Sequence, residues 1–89
     1  MKVAYRKMFL KDLHNLRYTE VYGRIKDLVF ETLPDCESLS EVQGLKALRQ
    51  KKNAFWIRLG EYRIGLKMEG DVVEIMRVLP RKDFYRYFP

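Results

Sequence analysis

Between Phe55 and Met68 the chain alternates apolar and polar side chains with a period of two, on both sides of a glycine. Phe55, Ile57 and Leu59 are interleaved with Trp56 and Arg58. After Gly60-Glu61, the residues Tyr62, Ile64, Leu66 and Met68 are interleaved with Arg63, Gly65 and Lys67. Successive side chains of a strand point to opposite faces. A glycine at the first position of a two-residue connection suits a type II′ turn. The pattern therefore predicts a hairpin. It puts Phe55, Ile57, Leu59, Tyr62, Ile64, Leu66 and Met68 on a buried face, and Arg58, Arg63 and Lys67 on the opposite one. A slip of one residue would reverse every assignment.

The rest of the chain supplies elements to pack against that hairpin. Glu69-Gly70-Asp71 reads as a second tight turn, and Val72 to Leu79 is apolar enough for a central strand that Pro80 stops. Residues 83–88 read as one helical turn or a tail. Upstream, residues 2–6 suit a short strand with Val3 and Tyr5 on one face. From about Lys7 the period changes: Phe9, Leu13 and Leu16 share a helix face, as do Val21, Ile25, Leu28 and Val29, with Leu33 extending the row. Thr19 stands where an N-cap would stand. Pro34 disfavours helical geometry at Leu33 and should end the second helix there. Residues 34–53 read as a loop or a poorly regular strand ending in the basic run Arg49-Gln50-Lys51-Lys52. The expected architecture is α+β, of order β-α-α-β-β-β: an antiparallel sheet with a helical hairpin packed on one face. Its 89 residues make one domain, 1–89.

Charge is distributed unevenly. Residues 1–48 hold 8 Lys/Arg and 7 Asp/Glu, whereas residues 49–89 hold 10 Lys/Arg and 5 Asp/Glu. The basic excess in the C-terminal half suits a polyanionic partner. It equally suits a basic soluble protein with no such role. One cysteine and one histidine cannot build a thiolate-imidazole metal site, and Cys36 alone makes no internal disulfide. We therefore expect no metal and no cofactor. The charged start lacks the apolar core of a signal peptide, and no apolar run has the length of a membrane span. The expectation is a cytoplasmic protein without a membrane partner.

Two segments resemble a known family. Phe-Trp-Ile-Arg-Leu-Gly-Glu-Tyr-Arg-Ile-Gly (55–65) resembles the second hairpin of RelE/ParE toxins. Met-Arg-Val-Leu-Pro-Arg-Lys-Asp-Phe-Tyr-Arg (76–86) is similar to their last strand and C-terminal Arg-x-x-x-Tyr segment. The order of elements matches as well, so the resemblance covers nearly the whole chain. It implies the toxin of a type II toxin–antitoxin pair. A RelE-like member would be an endoribonuclease, an mRNA interferase that cuts mRNA on the ribosome and inhibits translation. A ParE-like member would block DNA gyrase without cutting RNA. A degenerate member would only bind its antitoxin. In each case the partner implied is a cognate antitoxin protein, with operator DNA reached only through it.

The resemblance also assigns roles. Arg58 stands at a basic strand position, Arg63 matches a phosphate-binding arginine, Arg81 matches the basic residue that steadies the leaving group, and Tyr85 matches the C-terminal tyrosine. These four are the catalytic candidates. Lys51, Lys52, Trp56, Lys67 and Lys82 are the RNA-binding candidates. The chemistry suits metal-free RNA cleavage, in which a 2′-hydroxyl attacks the adjacent phosphorus and the 5′-oxygen leaves. An arginine fork matches phosphate oxygens. A tyrosine stacks on a base or moves a proton. The same residues also fit a solvated outer face. Trp56 departs from the family by standing where RelE-type toxins carry a lysine. The chain also ends soon after Tyr85, leaving room for a short C-terminal helix or none.

Overall fold

The computed structural model describes all residues, Met1–Pro89. The elements run β1 (Lys2–Tyr5), α1 (Lys7–Asn15), α2 (starting at Tyr22–Asp27), β2 (Leu45–Ala47), β3 (Ala54–Leu59), β4 (Tyr62–Glu69), β5 (Val72–Pro80) and α3 (Arg81–Tyr87). The strands form one sheet in the order β1-β5-β4-β3-β2. The expected α+β order is present, with two additions. Part of the stretch read as loop forms the short edge strand β2, antiparallel to β3. The segment read as a turn or tail is the seven-residue helix α3.

The sheet is mixed rather than wholly antiparallel. β2 to β5 form an antiparallel meander, but β1 pairs with β5 in parallel, Lys2 opposite Val72 and Tyr5 opposite Ile75. Period-two patterning reports which face a side chain takes, not which strand lies alongside. Gly60 and Gly70 both sit at positive φ, +59° each, in the two-residue turns on either side of β4. There glycine avoids the clash that a β-carbon would meet.

Two sequence expectations about the helical hairpin are corrected. Pro34 does not end α2 at Leu33. The helix passes through a π turn at Leu28–Thr32, where the Leu33 N–H donates to the Leu28 carbonyl, and continues through Leu33–Asp35. Proline removes one helical donor and crowds the preceding turn; the wider π turn accommodates both effects. Thr19 does not cap α2 either. Its hydroxyl donates back to the Leu16 carbonyl at 2.7 Å, and Val21 occupies the cap position.

The predicted faces hold. Ile57, Ile64, Leu66, Val73, Ile75 and Val78 form one core with Phe9 and Leu13 of α1 and with Ile25, Val29 and Leu33 of α2. Phe55, Leu59, Tyr62 and Met68 pack around that core. The outer face carries a second, smaller core of Leu48, Ala54, Phe84 and Phe88, flanked by Trp56, Met76 and Leu79. Both faces of the sheet are thus partly covered, by α1 and α2 on one side and by α3 on the other.

A bulge in β5 explains why its sequence reads as continuously apolar. Gly65 pairs with Arg77 and Leu66 with Ile75, so Met76 is an extra residue with no partner. The bulge lets Val73, Ile75 and Val78 all face the helices. Where β1 stops, α1 runs beside β5, and its buried Asp12 accepts from Arg77 Nε (2.7 Å), Arg77 Nη2 (3.0 Å) and the Val78 N–H (3.1 Å). One carboxylate thereby satisfies both a guanidinium and a backbone donor left open at the sheet edge. The hydrogen bonds from Arg77 to Asp12 raise the arginine's pKa above its ordinary value.

Candidate nucleic-acid cleft

The start of α3 is tied to the β3–β4 turn. The Arg81 N–H donates to the Glu61 carbonyl at 2.8 Å. Further along, Phe84 and Phe88 are sunk in the outer core with ring centroids 5.2 Å apart, and Phe88 lies against Gly65. This anchoring holds one face of α3 against the sheet. Between the helix and the turn opens a cleft of about 640 Å³, lined by Glu61, Arg63, Pro80, Arg81, Lys82 and Tyr85.

Arg63 is the best-held of these side chains. Register places Trp56 opposite Gly65, two residues along β4, so Trp56 and Arg63 are diagonal neighbours on the outer face. The guanidinium carbon lies 4.1 Å from the centroid of the Trp56 ring and 5.2 Å from that of Tyr85. Arg63 Nη1 donates to the Tyr85 hydroxyl at 2.5 Å, while its Nε is buried without a protein partner. Trp56 is in turn braced by Phe84, centroids 6.5 Å apart. A guanidinium stacked between two aromatic rings keeps its plane and direction while its charge stays available.

The sequence candidates separate into two groups. Arg63, Arg81, Lys82 and Tyr85 line the cleft, and Trp56 braces it from the side. Arg58, paired directly across from Arg63, turns away, its Nε donating to the Gly60 carbonyl at 3.2 Å. Lys51 and Lys52 lie exposed on the turn before β3, outside the cleft. Lys67 is on the same face of β4 as Arg63 but four residues further on, about 13 Å at the usual strand rise. Phe88 lies between them, over Gly65.

Two features escaped the sequence reading. Glu61, read as a turn residue and a possible ion-pair partner of Arg81 but not as a site residue, is the one carboxylate lining the cleft, and it makes no ion pair. A second groove of about 580 Å³ begins on the other side of Tyr85 and Trp56, and Arg49, Gln50 and Phe88 line it. Nothing in the local pattern marks either, because both depend on where α3 docks. No cluster of three or more His, Cys, Asp or Glu side chains stands where it could hold a metal ion.

No family model matches the chain. A curated relative does: the chain is 39% identical over 90 residues to "Toxin RelE3" of Methanocaldococcus jannaschii, with all of both sequences covered. Among solved structures, the RelB–RelE antitoxin–toxin complex from Methanococcus jannaschii superposes with a TM-score of 0.79 at 36% identity, covering 97% of this chain and 99% of that one. The RelBE2 toxin–antitoxin complex from Mycobacterium tuberculosis superposes with a TM-score of 0.67 at 25% identity, covering 90% and 96%.

Proposed function

The chain belongs to the RelE toxin family, and from that premise we propose that it is a metal-independent endoribonuclease that cuts mRNA on the ribosome. We propose a cognate antitoxin as its partner, the role RelB has in the related antitoxin–toxin complex. No helix is long and apolar enough to cross a membrane, and a ribosomal target implies the cytoplasm.

The observation that carries the reading is the gathering of Arg63, Arg81, Lys82 and Tyr85 on one cleft. In-line cleavage needs alignment of three atoms, compensation of charge on the phosphorane and movement of two protons. The stacked Arg63 guanidinium holds the scissile phosphate. Arg81 and Lys82, in the first turn of α3, meet the charge that builds on the departing side. The Tyr85 hydroxyl accepts from Arg63, so its own hydrogen remains free to pass to the leaving 5′-oxygen. Glu61 takes the proton of the attacking 2′-hydroxyl, a task that falls to a carboxylate here because Trp56 fills the place of the family's lysine. The new bond joins the 2′-oxygen to phosphorus as the bond to the 5′-oxygen breaks, leaving a cyclic phosphate and a free 5′-hydroxyl.

The test is mRNA integrity in a translating extract. Wild-type protein should cut the message, and Arg63→Ala should cut about 10²–10³-fold more slowly. Intact mRNA with wild-type protein overturns the proposal. Trp56 in place of a lysine favours a second reading, in which the protein binds gyrase and cleaves nothing. A supercoiling assay separates the two, since only that version blocks gyrase while sparing mRNA.

A further inference from the structure

Tyr85 is the wall between two cavities. It lines the cleft that holds Arg63, Arg81 and Lys82, and it also lines the groove of about 580 Å³ beside it. Trp56 borders that groove too, while carrying the Arg63 guanidinium 4.1 Å from its ring centroid. The groove thus begins one side chain away from the group that would hold the scissile phosphate.

The two cavities differ in chemistry. The cleft is lined mainly by charged side chains, Glu61 among them. The groove has no acidic side chain, and Leu48, Phe88 and the Trp56 and Tyr85 rings give it apolar walls. Those walls are fixed. Leu48 and Phe88 are buried, the Leu48 N–H donates to the Ala54 carbonyl at 2.9 Å, and the Phe88 N–H donates to the Phe84 carbonyl at 2.9 Å. Arg49 and Gln50 follow Leu48 directly, line the groove and stay exposed. Arg49 forms no ion pair.

Apolar walls with a few polar groups at the rim suit a flat aromatic ligand better than a phosphate. An unpaired base stacks on aromatic rings and offers its edge to donors and acceptors. The Gln50 amide supplies both kinds of group, and Arg49 adds a planar fork. The direction of the strand follows from Tyr85. Its hydroxyl serves the leaving 5′-oxygen, so the nucleotide beside the groove is the one that this oxygen belongs to.

We propose that the groove is a nucleobase site, which takes the unpaired base 3′ of the scissile phosphate against Trp56, with Gln50 and Arg49 at the edge of the base. The proposal rests on the reading of the neighbouring cleft as an RNA site. It assigns base contacts to two side chains that take no part in bond cleavage.

Trp56 is the only tryptophan of the chain, so its emission reports on the groove. The full chain is titrated at low salt with two oligomers of equal length. One is a 2′-O-methyl oligoribonucleotide, which resists cleavage, and the other is the same backbone without bases. Unlabelled oligomers are used for tryptophan emission, and end-labelled ones for affinity by anisotropy. The base-bearing oligomer should quench Trp56 and bind about tenfold more tightly than the abasic one, which should bind without quenching. Gln50→Ala, a neutral change at an exposed position, should weaken binding of the base-bearing oligomer by about three- to tenfold and leave the abasic one as in wild type. Lys26→Met, on α2, should behave as wild type with both. The proposal is overturned if the two oligomers bind and quench alike, if Gln50→Ala changes neither or both equally, or if wild-type protein binds neither. Arg63→Ala distinguishes the two failures. Unchanged abasic binding in that variant sinks the cleft reading, and the groove with it. Weakened abasic binding, beside equal quenching by the two oligomers in wild type, sinks the base site alone.

Discussion

The ring of Phe88 lies so close to Gly65 that a β-carbon built on the glycine would stand 2.9 Å from three ring atoms. A glycine in the middle of a strand thus serves the docking of the C-terminal segment. Gly65→Ala should destabilise the protein by about 1–3 kcal/mol through overpacking, measured by urea denaturation. Because Phe88 helps to anchor α3, which carries Arg81, Lys82 and Tyr85, cleavage should fall as well. Adding Phe88→Leu should recover part of the stability, and no recovery would show that the clash lies elsewhere.

Asp12 is the buried acid of the molecule, and Arg77 and the Val78 N–H both depend on it. Asp12→Ala strands a half-buried guanidinium and a backbone donor together. Breaking such a pair by removing one partner costs about 3–5 kcal/mol, a large part of the roughly 5–15 kcal/mol that holds a small domain folded. Equilibrium unfolding should show this loss. Asp12→Ala combined with Arg77→Met should be clearly more stable than Asp12→Ala alone, and additive losses would contradict the coupling.

Glu61→Gln separates chemistry from binding. If the carboxylate accepts the 2′-hydroxyl proton, the amide should slow single-turnover cleavage by about 10²–10⁴-fold. Affinity for an uncleavable oligonucleotide should be unchanged or tighter, since a negative charge has left the cleft. A rate within a few-fold of wild type assigns the base elsewhere.

Lys67 predicts a pH dependence of stability. The folded-state pKa of Lys67 lies below 10.5, with burial as the leading cause and Lys51 next. Between the folded value and 10.5 the unfolded chain binds more protons, so stability rises with pH across that window. At neutral pH the penalty for the charged form is present in full. Lys67→Met should therefore melt higher than wild type at neutral pH, and the gap should narrow as pH climbs toward 10.5. A gap that does not change with pH would trace to packing instead.

Local rules carried far along this chain. The alternation from Phe55 to Met68 and the helical spacing of Phe9, Leu13, Val21, Ile25 and Val29 identified the inner core, because each depends only on where neighbouring side chains of a regular backbone point. The same patterning put Arg63 and Lys67 on the face away from α1 and α2. What it left out came from contacts between distant segments. The parallel pairing of β1 with β5 and the hold of Asp12 on Arg77 join residues more than sixty positions apart, and the bulge at Met76 shows only once β5 is laid against β4.

The cleft shows the same division. Arg63 and Tyr85 were recognisable as candidates from the sequence, but their hydrogen bond exists only because Phe84 and Phe88 dock α3 on the outer face. That docking also brings Glu61 to the cleft, while Arg58 turns within its own hairpin to the Gly60 carbonyl. A sequence determines which faces of its elements are apolar, since that follows from backbone periodicity. Which charged groups meet is decided only when those faces are buried against one another, because burial fixes the distances and the solvent exposure on which electrostatic partnership depends.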